Sequence, residues 1–213
     1  MDYQNLRKEY RRNQLNECNL YSNPYKQFNE WFQDVLQEKI EEPNAMTLAT
    51  ATKEGKPSAR VVLLKEVDEN GFIFYTNKES RKGQELKENP EAELLFYWFS
   101  QQRQVRISGA VELLSEEESQ AYFQTRPLGS QLGAWASKQS QALENREQLE
   151  QAFHEAEEKY KGRLVPMPPY WGGYRVRPNR FEFWQGRSNR LHDRLVYTLD
   201  EKNNKWVVQR LYP

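Results

Sequence analysis

The chain reads as a mainly β, α+β protein in which antiparallel strands close into a barrel or sandwich and helices sit at the periphery. Two observations predict this. Between 45 and 114, β-branched and aromatic runs alternate with turn clusters such as Lys53-Glu54-Gly55-Lys56-Pro57 and Asp68-Glu69-Asn70-Gly71. These connectors are too short for βαβ crossovers, so neighbouring strands pair as hairpins. Strand-like runs also resume after Tyr170, beyond an interval that reads as helical.

Residues 1–22 are polar and irregular, with basic pairs at Arg7-Lys8 and Arg11-Arg12; they read either as a tail or as an arm that orders over a ligand. Asn23-Pro24 supplies an N-cap and first helical position, and Phe28, Trp31, Phe32, Val35 and Leu36 recur at helical spacing. Strands are expected over Ala45–Ala51, Ser58–Lys65, Gly71–Thr76, Ala92–Phe99 and Arg103–Leu114. Ser115-Glu116-Glu117-Glu118 is a capping box that opens a helix which Pro127 stops, placing Tyr122 and Arg126 one turn apart. Leu149, Ala152, Phe153, Ala156 and Tyr160 form the stripe of a later helix closed near Gly162, with His154 off that stripe. Strands return at Trp171–Tyr174, Phe181–Trp184, Asp193–Leu199 and Trp206–Leu211. No repeat or low-complexity linker divides 23–213, so that span reads as one domain preceded by the arm 1–22.

Composition narrows the function. Lysine plus arginine and aspartate plus glutamate number 31 each, giving zero formal charge. Whole-surface attraction to nucleic acid or an anionic membrane is not expected, whereas a local basic pocket is compatible. A mean hydropathy of −1.02 without a long apolar run gives no membrane helix. Met1–Tyr10 lacks the apolar core of a signal peptide, so the cytoplasm is the expected location. The single Cys18 with His154 and His192 cannot assemble the usual zinc set, and no metal site is expected. Phosphate-loop, dinucleotide and serine-hydrolase signatures are absent.

Anion-binding patterns are plentiful. Thr76-Asn77-Lys78-Glu79-Ser80-Arg81-Lys82 joins a strand to a helix capped by Ser80, so free amides, a hydroxyl and cations meet at a positive helix end. Arg60 and Lys65 bracket Val61-Val62-Leu63-Leu64; their odd spacing in one strand directs them to opposite faces. Tyr122, Arg126 and Ser130 offer a phenol, a guanidinium and a hydroxyl for a second phosphate. If the chain from Arg190 onward is extended, Arg190, His192 and Arg194 share one face, a costly gathering of positive groups unless an anionic or electron-rich ligand lies against it. Each cluster also reads as a solvated surface feature when taken alone. Their number on a neutral chain favours a protein holding two phosphorylated small molecules.

Arg60–Lys65, Phe74-Tyr75-Thr76-Asn77 with Ser80-Arg81-Lys82, Arg103–Ile107, Arg126-Pro127 with Ser130–Trp135, Lys138-Gln139-Ser140, Trp171-Gly172-Gly173, and Phe183–Gly186 with Arg190–Arg194 together resemble the pyridoxine/pyridoxamine 5′-phosphate oxidase family. The motifs run in order along nearly the whole chain. The resemblance implies a split β-barrel with Greek-key strands, a homodimer, and flavin mononucleotide (FMN) at the subunit interface. It implies oxidation of pyridoxine or pyridoxamine 5′-phosphate to pyridoxal 5′-phosphate, with dioxygen reduced to hydrogen peroxide. Carried residue by residue, it implies FMN contacts at Arg60, Val61, Leu63, Leu64, Lys65, Tyr75, Thr76, Arg81, Lys82, Gln104, Gln139, Ser140, Trp184 and Arg194. Lys65, Tyr122, Arg126 and Ser130 would meet the substrate phosphate. Arg190 and His192 would face the pyridine ring as catalytic residues, and Arg7 and Tyr10 would lie on an arm covering the substrate. The chain departs from the family at Asn13–Cys18, where a Gly-Leu pair and further basic residues commonly stand.

Two other readings compete. A split-barrel flavin reductase with a nicotinamide donor would share the phosphate loop but has no use for Tyr122, Arg126, Ser130, Arg190 and His192 together. A barrel binding single-stranded nucleic acid would use basic and aromatic residues, against which the zero net charge counts.

Overall fold

A computed structural model describes residues 9–213. Helix α1 (Pro24–Gln37) starts where Asn23 accepts from the amides of Tyr25 and Lys26 and Pro24 fills a position that needs no donor. Its buried face, Phe28, Trp31 and Val35, packs on strands: the Phe28 ring meets Phe72 edge-on at 4.9 Å and Phe96 at 5.1 Å. The strands are β1 (Ala45–Ala51), β2 (Pro57–Leu63), β3 (Glu66–Asp68), β4 (Gly71–Asn77), β5 (Glu91–Trp98), β6 (Arg103–Leu113), β7 (Trp171–Gln185), β8 (Asp193–Asp200) and β9 (Lys205–Arg210). Helix α2 (Arg81–Glu88) joins β4 to β5, while α3 (Glu116–Thr125), α4 (Leu128–Ala136) and α5 (Arg146–Tyr160) lie between β6 and β7.

The nine strands form one antiparallel sheet in the order β2-β1-β5-β6-β7-β4-β3, with β8 beside β7 and β9 beside β8. Strands β5, β6 and β7 lie side by side in sequence, and β4, which precedes them, returns beside β7; this is a Greek key. The expected mainly β class with Greek-key strands and peripheral helices is therefore borne out. Alternation on β5 and β6 sends Leu94, Phe96, Val105 and Ile107 inward to the main core. A smaller core, Phe123, Leu132, Ala156, Val165 and Trp171, lies beneath α3–α5.

Besides the short strand β3, which the sequence reading did not include, two elements differ from it. The runs 171–174 and 181–184 are parts of one fifteen-residue strand, β7. Pro178, which has no N–H to give, sits opposite Gly109, and the β6–β7 register shifts there between Ser108 and Gly109. The sheet absorbs the proline because Gly109 has no side chain: a Cβ would stand 2.0 Å from the Arg177 carbonyl oxygen. Secondly, Pro127 ends α3 but also serves as the N-cap position of α4, a helix the sequence reading did not include.

Candidate active site

A cavity of about 770 Å³ opens between β2, the β4–α2 junction and the α3–α4 corner. The junction is built locally. The Ser80 hydroxyl donates to the Asn77 carbonyl and accepts from the Gly83 amide, and Asn77 Oδ1 accepts from the amide of Glu79. Gly83 allows the tight approach, since a Cβ would lie 2.2 Å from the Lys78 carbonyl oxygen. Lys82 thus points inward with only 7% exposure. Its ammonium donates to Thr76 Oγ1 at 3.1 Å and to Gln139 Oε1 at 3.3 Å. Burial and the neighbouring Arg60 charge lower its pKa to about 8, against the pull of Glu85.

Arg60, Val61, Leu63 and Lys65 line the same cavity. This corrects the opposite-face reading of Arg60 and Lys65. Strand β2 ends at Leu63, and Lys65, whose amide bonds to Ile73, lies past the strand where alternation no longer holds. Leu64 is not in the wall: its side chain belongs to the core, and its amide and carbonyl are both bonded to Asn44.

At the opposite end, Tyr122, Arg126 and Ser130 converge. Tyr122 stacks on Tyr75 at 3.9 Å, and Tyr75 stacks on Trp171 at 5.3 Å. The Arg126 guanidinium lies 4.9 Å over the Trp171 ring, and its Nη1 is buried with no hydrogen-bond partner. Burial lowers the Arg126 pKa, opposed by Tyr122. A buried cationic donor without an acceptor is a seat for an anion. No carboxylate is among the described residues that line the cavity, whereas Arg60, Lys65, Arg81, Lys82 and Arg126 all do.

The remaining expected residues form a second cluster outside this wall. Register pairs Tyr97 with Gln104, Gln104 with Trp184, and Trp184 with Arg194, so the four make one row across β5–β8. Arg194 donates through Nε and Nη2 to Glu182 Oε1, both at 2.8 Å. Tyr10 meets the Trp184 ring edge-on at 5.8 Å and its hydroxyl lies 3.4 Å from that of Tyr97. His192 lies 4.7 Å from the Trp184 ring, and its Nδ1 accepts from the amide of Arg187 at 3.0 Å. Burial and the Arg190 charge lower the His192 pKa, with Asp193 opposing.

The extended face proposed for Arg190, His192 and Arg194 does not form. Ser188–Arg190 is a 3₁₀ turn in which Asn189 and Arg190 take φ of 56° and 62°, and β8 begins only at Asp193. The Arg187–Asp193 ion pair at 3.1 Å and the hydrogen bond that the Arg187 N–H donates to His192 Nδ1 close this turn. Arg190 is exposed. Arg7 lies outside the described residues. The sequence reading missed Trp171, which lines the cavity, and Tyr97, whose hydroxyl meets that of Tyr10; an aromatic on the outward face of β5 was the available signal for Tyr97.

Fold and cavity together define a Greek-key β protein with a cation-lined cavity beside an aromatic stack. Comparison then gives the family. A model described as pyridoxamine 5′-phosphate oxidase matches residues 32–160, and one described as the pyridoxine 5′-phosphate oxidase C-terminal dimerisation region matches 171–213. A pyridoxine/pyridoxamine 5′-phosphate oxidase of Rubrobacter xylanophilus is 56% identical, covering 100% of this chain and 97% of that protein. One from Trichormus variabilis is 54% identical over 98% of this chain and 97% of its own length. Among solved structures, PhzG from Burkholderia lata in complex with tetrahydrophenazine-1-carboxylic acid superposes with a TM-score of 0.86 at 36% identity, covering 92% of this chain and 95% of its own. An FMN-binding, pyridoxamine 5′-phosphate oxidase-related protein of Nostoc punctiforme shares the fold, with a TM-score of 0.71 at 17% identity over 90% of this chain and 98% of its own. The chain belongs to the pyridoxamine 5′-phosphate oxidase family. Among the described residues no helix is long and apolar enough to cross a membrane.

Proposed function

We propose that the protein is an FMN-dependent oxidase of pyridoxine 5′-phosphate and pyridoxamine 5′-phosphate, forming pyridoxal 5′-phosphate and reducing dioxygen to hydrogen peroxide, and that it works as a homodimer. The observation that carries the reading is the buried, unpartnered Nη1 of Arg126 in a cation-rich cavity with two separate phosphate-compatible ends.

The residues fit FMN. Arg60, Arg81, Lys82 and the Ser80-capped helix end suit its phosphate, while Gln139 and Thr76 offer polar atoms and Val61 and Leu63 an apolar wall. When bound, the flavin supplies the two-electron acceptor for hydride from the substrate's 4′ carbon. Arg126, Tyr122, Ser130 and Lys65 hold the substrate phosphate and so fix where the ring lies. Arg190 and His192 face the ring's polar substituents, and Tyr10, which packs against Trp184 and His192, covers it. Gln104, Trp184 and Arg194 complete the flavin site from a partner subunit, for which the family's C-terminal dimerisation region gives the support.

The test is Arg126→Ala. A hydrogen bond to a charged group contributes about 1.5–3 kcal/mol, so kcat/KM for the phosphorylated substrate should fall about ten- to a hundredfold or somewhat more, with flavin content unchanged. Unphosphorylated pyridoxine should lose much less. Equal proportional losses for both would place the substrate phosphate elsewhere.

A further inference from the structure

Glu85 does not line the cavity, yet it touches three of the residues that do, Ser58, Arg60 and Arg81. It lies on α2, one turn after Arg81, and its side chain is 4% exposed. Oε1 accepts from Arg81 Nε at 2.9 Å, and Oε2 accepts from Arg60 Nη2 at 3.2 Å. The same Oε2 accepts from the hydroxyls of Thr50 and Ser58, which face each other across β1 and β2. Those hydroxyl oxygens in turn accept from Arg60, Thr50 from Nη1 and Ser58 from Nη2. One carboxylate and two hydroxyls therefore fix both arms of the Arg60 guanidinium and one edge of Arg81.

Resting on the assignment of this end of the cavity to the FMN phosphate, we infer that Glu85 is a positioning residue that holds Arg60 and Arg81 in the orientation the phosphate requires. A carboxylate behind an anion site is otherwise a liability, because its charge opposes the ligand. Two features outweigh that cost. The guanidiniums and the Lys82 ammonium repel one another, and without a shared counter-charge the mostly buried Arg60 side chain gains by turning to solvent, while the already exposed Arg81 loses its carboxylate anchor. Lys82 also depends on Glu85, whose charge raises a pKa that burial and Arg60 have brought down to about 8. Removing the carboxylate thus lowers that pKa further. Burial would raise the pKa of Glu85 itself, but hydrogen bonds from Ser58, Thr50, Arg81 and Arg60 bring it down to about 2, so it stays charged.

The sign of one measurement decides. Simple charge counting has Glu85→Gln binding FMN more tightly; positioning has it binding about tenfold or more weakly, the loss of one charge-assisted hydrogen bond. The readout is free flavin fluorescence on serial dilution of the holoprotein, with thermal melts reporting folding. Ser58→Ala keeps the carboxylate but breaks one arm of the relay, and should weaken FMN retention in the same direction. Unchanged or tighter binding in Glu85→Gln overturns the inference. If that variant does not fold, unchanged binding in Ser58→Ala does so. Lys82→Ala run alongside separates the two levels: unchanged retention there removes the phosphate assignment and the inference with it. Weaker retention in Lys82→Ala with none in Ser58→Ala and Glu85→Gln removes the positioning role alone.

Discussion

His192 carries its proton on Nε2 when neutral, because Nδ1 accepts the Arg187 amide. It therefore presents a donor to whatever lies beyond that nitrogen, and suits an anchor of an electron-rich ring substituent better than a base. The chain has only two histidines, and His154 is exposed, so nitrogen NMR of His154→Gln protein reads His192 alone. The expected spectrum is the Nε2–H tautomer with a pKa below the usual 6.5; the Nδ1–H tautomer would contradict it. The sign for stability follows. A histidine kept neutral in the fold costs stability as pH falls below 6.5 toward its folded pKa, and the cost saturates below that value. Lys82 works in the other direction on ligand binding. Its ammonium is lost as pH rises past about 8, so FMN retention should weaken there, and Lys82→Arg should carry retention to higher pH. A wild-type curve flat across that range would show that Lys82 does not bear the phosphate. Lys82 was legible because Ser80, Gly83 and Thr76 lie within a few residues of it. Glu85 was not, because Thr50, Ser58 and Arg60 reach it from two strands remote in sequence.

At the scale of elements, glycine positions separate structural need from tolerance. Gly109→Ala drives a Cβ into the Arg177 carbonyl opposite the Pro178 bulge, and should destabilise the protein by about 1–3 kcal/mol or more by forcing β6 and β7 apart. Gly129→Ala is the contrast. It sits exposed in the first turn of α4 with nothing within 4 Å of its Cβ, so it should stabilise by about 0.4–1 kcal/mol. Thermal or denaturant unfolding checks both, and a reversed order would mean that the bulge has slack. The same features set what could be read from the chain. Hairpin strands with alternating burial, such as β5 and β6, declared themselves, and so did the capped starts of α1, α2 and α3. Strand β7 did not, because Pro178 reads as a break until its partner Gly109 is known. The Arg190–Arg194 face failed for a related reason: the left-handed turn at Asn189 and Arg190 is closed by Asp193 and His192, contacts that period-two alternation does not contain.

For the whole molecule, the division of the site residues into two clusters is the governing fact. Arg60, Lys65, Arg81, Lys82 and Arg126 share one cavity, whereas Gln104, Trp184, Arg194, His192 and Tyr10 stand outside its wall. Val61 at the cavity edge is 68% exposed and Leu191 beside His192 is 69% exposed, apolar surface that a second copy would cover. If each FMN and its substrate lie between the cavity of one subunit and the Trp184 row of the other, a two-fold dimer makes two equivalent composite sites. Complementation tests this. One variant carries Arg81→Ala with Lys82→Ala, disabling the cavity; the other carries Arg190→Ala with His192→Ala, disabling the ring-facing cluster. Each homodimer should be nearly inactive. In a heterodimer, one site gathers both defects and the other gathers none. Random reassortment of equal amounts makes about half of the dimers mixed, each with one intact site, so activity should return to about a quarter of wild type. Kinetics at saturating FMN before and after subunit exchange give the answer. Activity that stays at the level of the two parents, once mass spectrometry has shown mixed dimers, would mean that each chain builds its site alone.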